Sequence, residues 1–178
     1  MSRIAFNKPS VEGLELEYVR ESIANGHISG DGPFTKRASA MLESLLGGRT
    51  KVLLTTSCTH ALEMSAILLD LCEGDEVIVP SFTFVTGVNA FVLRRAKPVF
   101  ADIRADTLNI NENQLESLIT PRTRAIVPVH LFGRLAKMEP ILDLARRHGL
   151  PVIEDAAQAL GAEDSAAGAE DGGRQAGT

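Results

Sequence analysis

A short polar segment of the sequence, Glu-Asp-Ala-Ala-Gln at residues 154–158, has the residue types needed to hold a charged aromatic ring. It follows residues 151–153, whose apolar pattern is typical of a buried strand. The carboxylate of Asp155, at the end of such a strand, could pair with a protonated ring nitrogen, and Gln158 could donate to a ring substituent. A structural role is also open for Asp155, which could cap a helix, and we expect Glu154 to lie on a solvated face.

A second polar segment, Thr-Thr-Ser-Cys-Thr-His at residues 55–60, joins a predicted strand to a predicted helix. The first N–H groups of a helix have no partner within the helix and carry partial positive charge, so this segment could bind a phosphate without lysine or arginine. An ordinary helix cap at Ser57 or Thr59, with no ligand, would explain the same residues. The sequence lacks the glycine pattern of a P-loop, and we do not favour Cys58 as a nucleophile because no base is identifiable nearby in the sequence.

A third segment, Pro-Ser-Phe-Thr-Phe at residues 80–84, follows another predicted strand. An aromatic side chain just past a strand end can stack under a flat heteroaromatic ring. We expect Phe82 to be a core residue, whereas for Phe84 a core position and a stacking position are both open. Ligands of open parallel sheets bind beyond the carboxyl ends of the strands, so the three segments are predicted to converge on one pocket.

The elements that must position these segments alternate along the chain. Short β-branched runs predict strands at residues 51–55, 76–79, 98–101, 125–129 and 151–153. The intervening stretches predict helices at residues 59–71, 84–95, 111–119 and 137–148, the last ending at a glycine. Two more amphipathic helices are predicted ahead of them, at residues 11–25 and 34–46, with a glycine-rich loop between. This order predicts an α/β fold with a mostly parallel sheet covered by helices.

The composition bounds the class of protein. The 178 residues are enough for one ordinary domain or for part of a larger one, and 44% of them are apolar. The net charge of −5, with scattered lysine and arginine, does not indicate nucleic-acid binding. The N-terminal residues have no apolar signal-peptide region, and the apolar runs are too short for a membrane span. Two cysteines, Cys58 and Cys72, form neither a disulfide framework nor a metal site, so we expect a soluble cytoplasmic protein.

Several longer motifs in order resemble one known family. From residue 4 to residue 163 the sequence is similar to the DegT/DnrJ/StrS family of pyridoxal-phosphate-dependent sugar aminotransferases, and within it to the dTDP-4-amino-4,6-dideoxygalactose transaminase branch. The resemblance is carried by FNKPSVEGLELEYV, ISGDGPFTKR, KVLLTTSCTHALEMSAILLD, GDEVIVPSFTFVTGVNAFVLRRAKPVFADIRADTLNIN, TRAIVPVHLFG and PVIEDAAQALGAE. It implies the large domain of fold-type I (aspartate aminotransferase-like) enzymes, with helices on both faces of the sheet.

The resemblance implies a role for individual residues toward pyridoxal 5'-phosphate. Cys58 and Thr59 would hold the cofactor phosphate through backbone N–H groups and the threonine hydroxyl. Phe84 would stack on the pyridine ring, Asp155 would pair with the ring nitrogen, and Gln158 would contact the side of the ring that carries the hydroxyl.

Further residues are assigned by the resemblance less directly. The loop containing Gly30 and Asp31 would lie near the pocket for the sugar nucleotide. His60 stands where relatives often carry a small residue, so that it is either a phosphate contact or an exposed helix residue. No metal ligand is implied.

The Schiff-base lysine of the family lies in a Ser-Phe-His…Lys segment shortly after the motif at residues 154–158, and a serine of that segment also holds the phosphate. The lysines of this sequence are Lys8, Lys36, Lys51, Lys97 and Lys137, and none follows Asp155. We therefore expect no catalytic residue in this chain. The resemblance divides the chain into an N-terminal helical segment with the glycine-rich loop (1–48) and the first part of the cofactor-binding domain (49–163), without the small C-terminal domain. Residues 164–178 are rich in alanine, glycine, aspartate and serine, and this composition predicts a disordered tail.

The implied activity is transamination of a nucleotide-linked 4-keto-6-deoxy sugar with glutamate as amino donor. Such reactions supply amino sugars for cell-surface glycans, among them enterobacterial common antigen and lipopolysaccharide. The family implies a homodimer, with neither a nucleic-acid nor a membrane partner. Two alternatives stay open: a truncated, non-catalytic remnant that binds cofactor weakly or associates with a full-length subunit, and a dehydratase variant of the family that has histidine in place of the lysine.

Overall fold

The computed structural model describes residues 8–163 and Ala176, and the chain forms two compact units. The first unit is Met1–Leu54 and the second is Thr55–Thr178. The tail for which disorder is expected, residues 164–178, lies outside the described residues except at Ala176. The domain boundary after residue 48 stays a prediction.

The first unit contains the two predicted N-terminal helices, α1 (Glu15–Ala24) and α2 (Pro33–Leu45). Proline at the first position of α2 supplies a fixed φ that suits a helix start and removes an N–H group that would have no partner there. The ring centroids of Tyr18 and Phe34 are 5.5 Å apart, which joins α1 to α2. The guanidinium of Arg37 lies 4.9 Å from the Phe34 centroid, in cation–π geometry.

The second unit is built on a parallel sheet. Its strands β1 (Glu76–Pro80), β2 (Lys97–Ala101) and β3 (Thr123–Ile126) lie in the order β2-β1-β3, and both strand pairs are parallel. Residues 151–155 extend along the free side of β3 through parallel bridges between Ile126 and Val152 and between Val129 and Asp155. The predicted, mostly parallel sheet is therefore confirmed.

Helices follow the strands, as the sequence predicts. They are α3 (Cys58–Leu68), α4 (Thr86–Val92), α5 (Leu115–Leu118, preceded by a 3₁₀ turn) and α6 (Met138–His148). The last helix ends at Gly149, whose φ of 64° is the left-handed conformation that glycine adopts without strain. Across the described residues, no helix has both the length and the apolar character that a membrane crossing requires.

Alternating residues of the strands divide the core into two layers. Val77 and Val79 of β1 pack with Leu62 of α3 and Phe91 of α4. Ile78, between the two valines, lies in the second cluster, which includes Leu115 of α5 and Ile141 of α6. Successive side chains of a strand point to opposite faces, so α3 and α4 cover one face of the sheet and α5 and α6 the other. This is the layered α/β fold that the family resemblance implies.

One predicted strand is wrong. Residues 51–55 form no strand in the described chain, and Leu53 is 74% exposed. The N–H of Val52 donates to the side chain of Glu43 instead of to a neighbouring strand. An apolar β-branched run becomes a strand only where a partner completes its hydrogen bonds, and the local sequence does not specify that partner.

A buried carboxylate ties β1 to the segment that precedes β3. The Glu76 side chain is 3% exposed and accepts hydrogen bonds from the Thr120 hydroxyl at 2.6 Å and from Nη2 of Arg122 at 2.8 Å. Lys97 Nζ lies 3.8 Å away. The bond from Thr120, followed by that from Arg122, lowers the pKa of Glu76 below its usual value.

We predict that Glu76→Gln lowers the free energy of unfolding at neutral pH and that the deficit shrinks in acid. Because the folded-state pKa is depressed, the stabilisation is present above the unfolded pKa and is lost as the pH falls through the folded pKa. Urea unfolding followed by circular dichroism, from about pH 7 to about pH 3, measures the difference. Glu73→Gln, at a side chain that is 79% exposed, is the control. A deficit that does not vary with pH would contradict the account.

Candidate active site

A cavity of ≈ 270 Å³ in the second unit is lined by residues that follow the carboxyl ends of the strands and by the start of α3. It brings together all five residues predicted to contact a cofactor, which are Cys58, Thr59, Phe84, Asp155 and Gln158. The predicted convergence of the three polar segments on one pocket is thus observed. The role of each residue toward a ligand stays a prediction.

The start of α3 leaves backbone donors open on the cavity. The Ser57 hydroxyl caps the helix by accepting the N–H of His60 at 3.2 Å. Within the described residues, no acceptor bonds to the N–H groups of Cys58 and Thr59. The two interpretations of this segment are therefore compatible, because one residue caps the helix while the next two can bind an anion.

A pair of hydroxyl groups extends this donor cluster. The Thr59 hydroxyl donates to that of Thr86 at 3.0 Å, and both side chains line the cavity. Sequence reasoning missed Thr86, whose signal is a hydroxyl two residues beyond Phe84 in the same post-strand segment. His60 is exposed, bonds to the Thr56 hydroxyl and is absent from the cavity lining, as expected of an exposed helix residue.

Asp155 presents one carboxylate oxygen to the protein and keeps the other open. The residue is 8% exposed, and Oδ1 accepts the N–H of Ala157 at 3.1 Å and the thiol of Cys58 at 3.5 Å. Oδ2 forms no hydrogen bond within the described residues and lies 3.7 Å from the position a Cβ would take at Gly87. No helix follows Asp155 in the described chain, so it caps a turn rather than the helix that one interpretation held, and it still offers an oxygen to a ligand.

The Cys58 thiol is held in its neutral form. Desolvation of the partly buried thiol, followed by the negative charge of Asp155 and the hydrogen bond to it, raises the pKa of Cys58 to about 11, although the residue as a whole is exposed. A thiol with that pKa is almost fully protonated at neutral pH and is a poor nucleophile. Its position beside Asp155 makes it a reporter of that carboxylate.

Of the two phenylalanines after β1, Phe84 lies at the cavity, whereas Phe82 does not lie in the core as expected. Phe84 is 73% exposed and its side chain lines the cavity, so it is available to stack on a ring. The prediction that Phe82 is a core residue is wrong, because Phe82 is 48% exposed and lies outside the cavity lining. The chain bends directly after β1, so residues 81–84 no longer alternate between the two buried faces of the sheet.

Thr83, between the two phenylalanines, is a further lining residue that sequence reasoning missed. Its Oγ1 is buried and has no hydrogen-bond partner among the residues that the structure describes. A Cβ at Gly87 would lie 3.3 Å from this oxygen, so the absence of a side chain at Gly87 leaves the hydroxyl unobstructed. A buried hydroxyl without a partner is a position where a ligand can form a hydrogen bond.

Gln158 is oriented by the backbone of the opposite wall. Its Oε1 accepts the N–H of Phe132 at 2.8 Å. Because the carbonyl oxygen is engaged, the amide NH₂ is the end that remains for a ligand.

The prediction that Glu154 lies on a solvated face is wrong. Its side chain is 12% exposed and Oε2 lies 3.0 Å from Nε2 of His130, which is fully buried. His130 lines the cavity and was missed, although a histidine directly after an apolar strand pattern is a detectable signal.

Gly30 and Asp31, the predicted substrate residues, lie in the first unit, in the loop between α1 and α2. Both are exposed, and Asp31 has a φ of 59°. Their role toward a sugar nucleotide stays a prediction.

We predict that Asp155→Asn lowers the pKa of Cys58 while leaving it above that of an ordinary cysteine, because burial, the largest cause, remains. Each unit by which the pKa falls raises the thiolate fraction about tenfold. The pKa of Cys58 is measured from the rate of alkylation by iodoacetamide as a function of pH, in a Cys72→Ser background. Asp143→Asn on the outer face of α6 is the control. An unchanged alkylation profile would mean that Asp155 is not beside the thiol.

Comparisons with known proteins agree with this geometry. The chain is 40% identical over 162 residues to GDP-perosamine synthase of Caulobacter vibrioides, a match that covers 91% of this chain and 43% of that protein. The aminotransferase TlmJ from Streptoalloteichus hindustanus superposes with a TM-score of 0.81 at 37% identity, covering 89% of this chain and 43% of that one. The chain thus spans less than half the length of these relatives.

A third relative was solved with its cofactor. The Bacillus subtilis protein NtdA, with bound PMP, superposes with a TM-score of 0.78 at 35% identity, over 82% of this chain and 33% of that one. The open donors at α3, the Phe84 ring, the free Asp155 oxygen and the Gln158 amide fit a phosphorylated, protonated heteroaromatic ring. The model of the DegT/DnrJ/EryC1/StrS aminotransferase family matches residues 9–178. The chain therefore belongs to this family, whose cofactor is pyridoxal 5'-phosphate.

Proposed function

We propose that this chain is the cofactor-binding part of a transaminase that converts a nucleotide-linked 4-keto-6-deoxy sugar to an amino sugar, with glutamate as amino donor. The observation that carries the proposal is the shared cavity of the buried Asp155 carboxylate and the open N–H groups at the start of α3. Family membership and the similarity to GDP-perosamine synthase support the sugar substrate. The proposal includes the homodimer, the cytoplasmic location and the role in cell-surface glycans, among them enterobacterial common antigen and lipopolysaccharide, that the sequence predicts.

In the proposed site the N–H groups of Cys58 and Thr59 hold the cofactor phosphate, and the Phe84 ring stacks on the cofactor ring. Oδ2 of Asp155 accepts a hydrogen bond from the protonated ring nitrogen, and the Gln158 NH₂ donates to the ring hydroxyl. When bound, pyridoxal phosphate supplies a charged ring that withdraws electrons from the reacting carbon. The carboxylate keeps that charge in place because an anion nearby favours the protonated form of the nitrogen. We assign Gly30 and Asp31 to the sugar nucleotide.

The proposed transamination requires a proton transfer by a lysine, and none of the five lysines, all of which lie in the described part of the chain, lines this cavity. Lys97 Nζ lies 3.8 Å from Glu76, and Lys137 Nζ lies 3.3 Å from Glu112. This placement favours a second candidate function for the 178-residue chain by itself, namely that it binds cofactor weakly, or associates with a full-length subunit, without turning substrate over.

We predict that the chain binds pyridoxal phosphate and that Asp155→Ala weakens binding about tenfold or more, the size expected from loss of a charge-assisted hydrogen bond. Equilibrium dialysis with absorbance of the free cofactor measures the affinity. Asp143→Ala, a matched change on the exposed side of α6, should leave it unchanged. Equal affinities for the wild-type chain and Asp155→Ala would remove Asp155 from the site.

We predict that the 178-residue chain, with glutamate and either a dTDP-linked or a GDP-linked 4-keto-6-deoxy sugar, turns over no faster than free pyridoxal phosphate. A positioned acid–base group contributes about 10²–10⁴-fold, and no lysine here can supply it. Chromatography of the amino-sugar product measures the rate. Turnover above the cofactor-only rate that Asp155→Ala abolishes would show that another residue moves the proton.

A further inference from the structure

A tight turn at residues 130–133 forms one wall of the cavity and contacts the segment that carries Asp155 and Gln158. Its sequence, His-Leu-Phe-Gly, belongs to a motif that carries the family resemblance. The backbone N–H of His130 donates to the Asp155 carbonyl at 3.0 Å. The N–H of Phe132 donates to Gln158 Oε1, so the contacts of the turn reach two of the three residues proposed to touch the cofactor ring, Asp155 and Gln158.

The imidazole of His130 is a satisfied, neutral group. Its Nδ1 accepts the N–H of Ala136 at 3.1 Å, so the ring proton must lie on Nε2. Nε2 then donates to Oε2 of Glu154 at 3.0 Å. The side chain of His130 is fully buried, so this bond is protected from water.

The hydrogen bond between His130 and Glu154 restricts the orientation of the neighbouring Asp155 side chain, because both residues lie on one extended segment. Successive side chains of an extended segment point to opposite sides, and Asp155 is bridged to Val129 in parallel. Rotation of the segment about its axis would move both side chains together. A Glu154 side chain held by His130 therefore prevents the Asp155 carboxylate from turning away from the cavity.

The second half of the turn holds Gln158. Phe132 has a φ of 55°, a conformation that is unfavourable for a residue with a side chain, and its N–H meets the Gln158 Oε1 at 2.8 Å. A Cβ at Gly133 would lie 3.2 Å from the backbone carbonyl oxygen of Gln158, and Gly133 has a φ of 80°. The sequence Phe-Gly thus permits a close approach that ordinary turn residues would obstruct.

The buried side chain of Asn109 forms hydrogen bonds to the backbone of the turn. Asn109, 3% exposed, accepts the N–H of Leu131 at 3.0 Å and donates to the carbonyl of Arg134 at 2.9 Å. Both ends of the turn are therefore fixed by one buried amide. A strained turn fixed in this way indicates that its geometry serves the adjacent site.

We propose that residues 130–133 are a positioning element of the cofactor site, in which His130 acts through Glu154 to fix the Asp155 carboxylate and the Phe132 N–H fixes the Gln158 amide. The inference rests on the proposed function for its meaning, but the position of Asp155 can be tested without cofactor. Cys58, hydrogen-bonded to Oδ1 of Asp155, supplies that test.

The experiment compares Glu154→Ala, Glu154→Asp and Glu154→Gln in the Cys72→Ser chain, with Glu139→Ala on the exposed start of α6 as control. Two quantities are measured on each: the pKa of Cys58, from iodoacetamide alkylation against pH, and the affinity for pyridoxal phosphate, from equilibrium dialysis. Circular dichroism shows which variants are folded. Glutamine removes the charge of Glu154 but keeps an oxygen that accepts from His130, so it separates charge from position.

We expect Glu154→Ala to lower the Cys58 pKa by about one unit and to weaken cofactor binding about tenfold. Glu154→Gln and Glu139→Ala should leave both values near those of the wild-type chain. Glu154→Asp, whose side chain is one methylene shorter, should lower the Cys58 pKa and the cofactor affinity by smaller amounts. If the alanine variant does not fold, the aspartate variant tests the positioning role.

An unchanged Cys58 pKa in the folded alanine or aspartate variant would overturn the positioning role. Equal falls in Glu154→Gln and Glu154→Ala would also overturn it, by assigning the effect to charge alone. If the pKa falls as expected while the wild-type chain binds no pyridoxal phosphate, the positioning role stands and the proposed function fails.

Discussion

The parallel pairing of residues 151–155 with the chain that continues from β3 is the interaction on which the site depends. Two bridges, Ile126 with Val152 and Val129 with Asp155, set the register. Because the strands are parallel, their carboxyl ends meet at one edge, and the register determines which side chain reaches that edge. A slip of one residue would exchange the sides to which Glu154 and Asp155 point. The hydrogen bonds of the 130–133 turn oppose that slip.

Two buried carboxylates of the second unit illustrate different uses of the same group. Glu76 is neutralised by Arg122 and Lys97, and it stabilises the sheet. Asp155, also buried, has no lysine, arginine or histidine in salt-bridge range among the described residues and accepts from an N–H and a thiol. In the proposed function, this carboxylate accepts a hydrogen bond from the protonated ring nitrogen of the cofactor.

The sequence predicted the elements whose patterns are local and failed where a distant partner decides. The helix at Met138–His148 has a strong apolar stripe and a glycine stop, and strand β1 is fully buried, so both were predictable. Residues 51–55 have the composition of a strand but no partner among the described residues. Phe82 was assigned to the core because the bend after β1 has no marked signal. Cys58, Thr59 and Asp155 were placed correctly at one cavity because strand ends in a parallel sheet converge.

The residues that sequence reasoning missed were all missed for the same reason. His130, Thr86 and Thr83 have ordinary identities, and their importance comes from what they face: Glu154, the Thr59 hydroxyl and the space above Gly87. Glu154 was assigned to solvent because a charged residue is usually exposed, and its burial depends on a histidine 24 positions earlier. Pairings of this kind follow from tertiary contacts, which a single sequence does not reveal.

The most direct test of the central claim is a crystal structure of the chain grown with pyridoxal phosphate. The account predicts the phosphate at the N–H groups of Cys58 and Thr59, the ring against Phe84 and the ring nitrogen at the Asp155 carboxylate. A cofactor bound outside this cavity, or bound within it with the ring nitrogen turned away from Asp155, would contradict the account.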